Sequence, residues 1–325
     1  MEAPMNKALT EPKTFKERIA NVQPVIWMLL VITVTFSFTG DNFFSYGNLL
    51  NIIKQASPFL ILAIAETMAV LIGQIDLSVG NVMAFCTVVV AMLINAGVPI
   101  VLAAAGGILA GLLCGLLNGF FIAKCKVPAY ITTFGLGTMF YGLGSLMTGG
   151  VSVPALDSGF RFIADGDVFG IPMVLIIAVA VFILVKLLIV RTAFGRNMYG
   201  LGGNREALFL SGVNTMKAET LIFTMVGVLA GVAGVIFAAR SASGHPDYGK
   251  QWEFNAIAAT IIGGNSFSEG RGNIYKTALG VLFIQILKTG LNISGVSPQS
   301  QSFLLGLIVV AAISTDVLVK LKKEN

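Results

Sequence analysis

The sequence predicts an all-α integral membrane protein of about ten transmembrane helices, both termini in the cytosol, and three observations predict it. Of its 325 residues 56% are apolar and 11% charged, and the mean hydropathy is +0.86, beyond what a solvated domain surface tolerates. Apolar runs of about 18 residues or more recur along the chain, each long enough at about 1.5 Å per residue to cross roughly 30 Å of hydrocarbon. The basic residues also fall unevenly around those runs. With cytosolic termini, Lys7, Lys13, Lys16, Arg18, Lys124, Lys126, Lys186, Arg191, Arg196, Arg205, Lys217, Arg271, Lys276, Lys320, Lys322 and Lys323 lie inside or at the inner edge. Only Lys54, Arg161, Arg240, Lys250 and Lys288 lie towards the outside, the asymmetry that the positive-inside rule requires.

Residues 1–21 are mixed and mildly basic and read as a cytosolic segment. The apolar run after them carries no small-residue cleavage signal, so residues 22–38 are a retained first span. Residues 41–55 are amphipathic and suit the membrane surface better than its interior. Further spans are expected at 58–72, 78–94, 99–122, 129–147, 171–190, 220–239, a short 255–262, 275–291 and 303–318. The membrane domain is therefore 22–319, followed by a cytosolic tail at 320–325. Gly135, Gly137, Gly142 and Gly144 are expected to break or tilt the span at 129–147. Cys86, Cys114 and Cys125 lie within or beside apolar runs and read as small packing residues, with no disulfide framework.

A polar seam, Gly73-Gln74-Ile75-Asp76-Leu77-Ser78-Val79-Gly80, interrupts two apolar stretches. A carboxylate at mid-bilayer costs roughly 2.5–3.5 kcal/mol, so an acid there calls for a use. Asp76 and Ser78 stand just before an apolar helix, where either can cap its first free amides. Glu66, in the middle of 58–72, either pairs with Lys54 or another span's polar group, carries a proton, or faces an aqueous path. Asn118, Thr132 and Thr133 either face that path or bond back to helix carbonyls. An internal echo relates 71–80, LIGQIDLSVG, to 261–270, IIGGNSFSEG, as if two polar turns were built alike.

The segment 191–214, RTAFGRNMYGLGGNREALFLSGVN, is the longest inner loop and contains a miniature helix. Asn204 is its N-cap, 205–211 is helical in character with Leu208 and Phe209 needing cover, and Gly212 ends it in the left-handed conformation. Such a helix either docks on a partner or lies on lipid headgroups. Covalent and metal catalysis find no machinery: the sole histidine, His245, precedes Pro246 in an outer loop, no His or Cys cluster has metal spacing, and no phosphate-binding Gly-Lys-Ser/Thr loop exists.

GQIDLSVG, FGRNMYGLGGNREALFLSGVN and EFNAIAATIIGGNSFSEGRGNIYKTALG followed by LNISGVSP together resemble the permease subunits of bacterial ABC importers for monosaccharides, the ribose type, over residues 42–316. The resemblance implies an inner-membrane, multi-pass permease that is not an enzyme and binds no cofactor, ATP being held by a separate subunit. It implies three partners: a second permease subunit, in a homodimer or with a similar chain, an ABC ATPase, and a periplasmic sugar-binding protein. It also implies that 204–212 is the coupling helix seated on the ATPase, with Gly195, Arg196, Gly203, Asn204, Arg205, Glu206, Ala207, Ser211 and Gly212 at the positions of that contact. Glu66, Asp76, Ser78, Asn118, Thr132 and Thr133 are the candidates for the translocation path. The outer loops 151–169 (Asp157, Arg161, Asp165, Asp167) and 241–253 (His245, Asp247, Tyr248, Lys250, Glu253) have the mixed polar and aromatic character of a docking platform. Two other readings stand beside this one: the same architecture carrying a nucleoside or branched-chain amino acid, and an ion-coupled secondary transporter using Glu66 and Asp76.

Overall fold

A computed structural model describes residues 24–39, 42–266 and 270–324, and these are overwhelmingly helical. The segment 1–21 lies outside the described residues. The helices are α1 (Pro24–Thr39), α2 (Tyr46–Leu71), α3 (Val79–Asn95), α4 (Ile100–Ala123), α5 (Ala129–Thr148), α6 (Ser158–Asp165), α7 (Met173–Arg191), α8 (Ala193–Gly203), α9 (Arg205–Leu210), α10 (Thr215–Ser241), α11 (Trp252–Ile262), α12 (Ile274–Ile293) and α13 (Pro298–Glu324). Five of them, α2, α4, α7, α10 and α12, are long and apolar enough to cross a membrane; shorter apolar helices cover Pro24–Phe38, Val79–Asn95 and Pro298–Ala311.

Two-residue strands tie the loops at one end of the bundle: β1 (Val153–Pro154) pairs antiparallel with β4 (Ser243–Gly244), and β2 (Asp167–Val168) with β3 (Ile171–Pro172). Helices α8 and α9 occupy the opposite end. The main core lies between, where Ile61, Leu62, Met68, Met83, Phe223 and Ile236 are fully buried.

The most extensive contact in the fold joins α4 to α10, and glycine makes it. Gly107, Gly111, Gly115 and Gly119 recur every four residues of α4 and so share one face. A Cβ at Gly111 would collide with the Gly227 carbonyl, one at Gly115 with Phe223 and Gly227, and one at Gly119 with Thr220. From α10, Gly231 meets Ile108, and Gly234 meets Met83 of α3. Backbones approach this closely only where side chains are absent, the packing mode favoured between membrane helices. The Thr220 hydroxyl donates to the Gly119 carbonyl at 3.3 Å across the seam.

Several boundaries differ from the sequence expectation. Residues 46–55 form no separate surface helix: α2 runs unbroken through Pro58, because Ser45 caps its start and nearly every residue from Ala56 onward is buried against neighbours. Packing on that scale outweighs the roughly 3 kcal/mol that an interior proline costs. Helix α5 is likewise continuous, since Gly135 and Gly142 meet no neighbouring atom within 4 Å and Gly137 merely seats the helix against Ser78. Helix α10 starts at Thr215, capped by Asn214, rather than near residue 220, and α13 continues past 318 without a break.

These contacts predict opposite outcomes for two glycines. Gly111→Leu should destabilise the protein on the order of 3 kcal/mol by overpacking, read as a lower midpoint in detergent thermal unfolding. Gly135→Ala should be neutral or stabilising by up to about 1 kcal/mol, since open space surrounds it and alanine is the better helix former.

Candidate coupling and gating site

The segment between α7 and α10 folds as two helices rather than one. Thr192 caps α8 by accepting from the Phe194 amide at 3.2 Å, and Asn204 caps α9 by accepting from the Ala207 amide at 2.9 Å. Gly212, at φ +87°, closes α9 in the left-handed region, where a side chain would be strained. Gly195 and Arg196 therefore sit on α8, Gly195 buried against the Ile189 backbone and Arg196 exposed. Gly203, Asn204, Arg205, Glu206, Ala207, Ser211 and Gly212 are exposed at the end of the bundle. Leu208 turns inward onto the core, whereas Phe209 and Leu210 remain 63% and 77% exposed. The result is a short, capped helix with an apolar tip on a polar rim.

Helix α9 is fastened by a residue that sequence reasoning missed. Glu219, on the first turns of α10, takes both guanidinium nitrogens of Arg205, Nη1 to Oε1 at 2.8 Å and Nη2 to Oε2 at 2.7 Å. The Glu219 side chain is 2% exposed and that of Arg205 48%, so the acid is inside and the base reaches in from the surface. Gln74 donates from Nε2 to the same Glu219 Oε1. A paired fork of this kind is among the stronger polar contacts a protein makes. With the span expected to start at residue 220, Glu219 falls just outside it and carries no signal, whereas the helix begins at Thr215. The same bond ties α9 to the polar turn.

That turn is itself held from four helices. Gly73, at φ +70°, ends α2, with Gly73 and Gln74 donating to the Val70 and Ala69 carbonyls. Asp76 Oδ1 accepts from the Ser78 amide at 2.7 Å and the Ser78 hydroxyl at 2.6 Å, so the aspartate secures the entry to α3 while Ser78 makes no side-chain cap. Asn118 of α4 donates to the Ser78 hydroxyl at 2.7 Å. Thr133 of α5 accepts from the Leu77 amide at 3.0 Å and donates back to the Ala129 carbonyl. Glu66 of α2 accepts from the Asp76 amide at 3.3 Å and has no ion pair with Lys54. The Thr132 hydroxyl is buried without a partner among the described residues. Five of the six path candidates thus form one buried network around residues 76–78, with Glu66 Oε2, Asp76 Oδ2 and Asn118 Oδ1 left as free acceptors within it. Gly80 lets the turn lie against Gly249 and the Glu253 carboxyl.

The second turn of the internal echo repeats this closure one residue out of register. Gly264, at φ +97°, donates to the Ile261 carbonyl and Asn265 to the Thr260 carbonyl, so Gly264, not Gly263, is the counterpart of Gly73. Residues 267–269 of that echo lie outside the described residues. Beside it Thr67, Thr260 and Thr277 join through their hydroxyls, and Asn265 donates to both Thr277 Oγ1 and the Thr260 carbonyl at 2.9 Å. Sequence reasoning missed this cluster too, because threonines scattered over three apolar helices show no spacing.

At the far end, Asp157 caps α6 on the Phe160 amide, and His245 Nδ1 accepts from the Asp247 amide at 3.0 Å. Lys250, 2.8 Å from Asp247, holds that carboxyl below the usual carboxylate range by hydrogen bonding to it. Cys86 and Cys114 are buried, and Cys125 is exposed.

Residues 48–313 match the family described as the permease component of the branched-chain amino acid transport system. The chain is similar to the ribose import permease of Bacillus subtilis, 36% identical over 290 residues, 89% of this chain and 90% of that one. A probable ABC transporter permease of Escherichia coli is 34% identical over 306 residues, 94% of this chain and 92% of its own. The D-allose transport system permease of Escherichia coli is 33% identical over 293 residues, 90% of each chain. No solved structure matches.

Two substitutions test the network's anchors. Asp76→Ala strands two donors of Ser78 and should cost about 1–3 kcal/mol, whereas Asp76→Asn keeps an acceptor oxygen and should cost less. Arg205→Met strands the buried Glu219 carboxylate and should cost on the order of 3 kcal/mol, at the low end for a buried pair because Arg205 is half exposed. Thermal unfolding of the detergent-purified protein measures both.

Proposed function

Since the chain belongs to the ABC-importer permease family of these relatives, a multi-pass family of the inner membrane, we propose that it gives a monosaccharide an alternating-access path, powered by an ATPase it does not contain. Sugar is the solute named for its ribose and allose relatives, which is what supports that choice. The membrane domain is 22–319, about ten spans, with residues 1–21 and 320–325 in the cytosol; the positive-inside asymmetry supports this orientation. It works as a homodimer or beside a similar subunit, receives its sugar from a periplasmic binding protein, and binds no cofactor of its own.

The observation that carries the mechanism is the Arg205–Glu219–Gln74 contact. Helix α9, with Phe209 and Leu210 exposed at its tip, is shaped to seat in a groove of the ATPase. Gly203, Asn204, Arg205, Glu206, Ala207, Ser211 and Gly212 frame that seat, with Gly195 and Arg196 on α8 behind it. Closure of the ATPase displaces α9; Arg205 carries the displacement to Glu219 on α10, and Gln74 passes it to the turn at 73–78. Glu66, Asp76, Ser78, Asn118, Thr132 and Thr133 then act as the inner gate of the path, their network opening and reforming as α2, α3, α4 and α5 shift about the turn.

Two measurements check this reading. The chain reconstituted with its ATPase and binding protein should take up sugar only with ATP; accumulation by the chain alone along an ion gradient would instead establish the secondary-transporter class. Gly212→Trp, or Glu206→Trp, should abolish ATP-driven uptake while membrane insertion stays intact, and unchanged uptake would remove α9 from the coupling role.

A further inference from the structure

A cavity of about 340 Å³ lies between α2, α10, α11 and α12, at the end of the bundle away from α9. That volume is at the small end of the roughly 300–1,000 Å³ typical of ligand pockets. Phe59 and Trp252 form one wall, their rings edge to face at 5.8 Å, with Phe237 set against Trp252 at 5.2 Å. Gln285 donates to Gln55 at 3.0 Å across another wall. One turn along each helix, Ala63, Ala256, Ala259, Val281 and Ile284 pack into an apolar layer, and the Thr67–Thr260–Thr277 cluster follows. The cavity is closed on the side that faces the polar turn.

Its charge is one-sided. Arg240 and Lys288 both line it, and neither makes a hydrogen bond or ion pair with any described residue. The Lys288 ammonium lies 5.9 Å from the centroid of the Phe59 ring. Arg240 feels Asp165, but that carboxylate is already held by Arg161 at 2.8 Å. Among the described residues no carboxylate lines the cavity. Two half-buried cations that pair with no described residue favour an oxyanion between them, and a charge-assisted bond from each is the strong kind. The aromatic wall suits the apolar face of a pyranose.

We propose that this cavity is a transit site for an acidic monosaccharide, a uronic acid in its pyranose form, its carboxylate between Arg240 and Lys288 and its ring against Phe59 and Trp252. The proposal rests on the sugar-permease reading and narrows it from sugars in general to sugar acids.

The sequence has two tryptophans, Trp27 and Trp252, so Trp27→Phe in the full-length permease leaves Trp252 as the only indole. In lipid nanodiscs, D-galacturonate should change Trp252 emission saturably, with half-saturation at least ~10-fold below that of D-galactose, which carries a hydroxymethyl group in place of the carboxylate. Lys288→Gln in this background should erase most of that preference, and Arg240→Gln provides the same readout should the lysine variant fold poorly. No saturable change, equal response to the two sugars, or a preference that survives both substitutions would overturn the proposal. ATP-driven uptake by the assembled wild-type complex is read separately: uptake of D-galactose beside a silent Trp252 sinks the cavity assignment alone, and absence of any ATP-driven sugar uptake sinks the permease reading with it.

Discussion

The glycine contact between α4 and α10 is the constraint on which the rest of the structure depends. In a bilayer, lipid tails are as apolar as leucine, so helices gain little by hiding apolar side chains and associate through close packing and internal hydrogen bonds. Gly111, Gly115 and Gly119 of α4 bring its backbone against Gly227, Phe223 and Thr220 of α10, and Gly231 of α10 lies against Ile108 of α4. Gly234 admits α3 to the same place. With these three helices set, Asn118 of α4 comes within reach of Ser78, and Glu219 of α10 comes within reach of both Gln74 and Arg205. The polar network follows from the apolar packing.

A second consequence is mechanical. Helix α9 is only six residues long and could not hold a fixed pose through its own backbone bonds. It is stiffened by its Asn204 cap, by Leu208 packed on the core, and by the forked Arg205–Glu219 pair. Glu219 is shared with the turn that joins α2 to α3. One buried carboxylate therefore links the exposed end of the bundle to its polar centre. The alanine-rich layer of α2, α11 and α12 separates that centre from the cavity at the other end.

Local features were legible residue by residue. Asn204 as a cap, Gly212 in the left-handed region and the helical character of 205–211 depend on side-chain chemistry within a few residues of the backbone they serve, and all three are present. Asp76 as an anchor for the entry to α3 was legible for the same reason. Continuity through Pro58 was not, because a proline weighs against a helix locally while the burial that overrides it is contributed by other helices. Glu219 was misplaced by five residues of boundary error, and the Thr67–Thr260–Thr277 cluster joins residues about 200 positions apart, a separation that no periodicity reveals.

Composition, run length and charge asymmetry, all one-dimensional quantities, by themselves determined that this chain is a helical membrane protein, roughly where its helices lie and which loop carries a capped helix. They can do so because transfer from water to hydrocarbon acts on each segment in turn. The tertiary structure alone decided which acids and cations find partners: Glu219 does, whereas Arg240 and Lys288 line one cavity and pair with no described residue. Pairing depends on distances of a few ångströms between separate helices, and those distances are set by which faces, glycine-lined or otherwise, pack against one another.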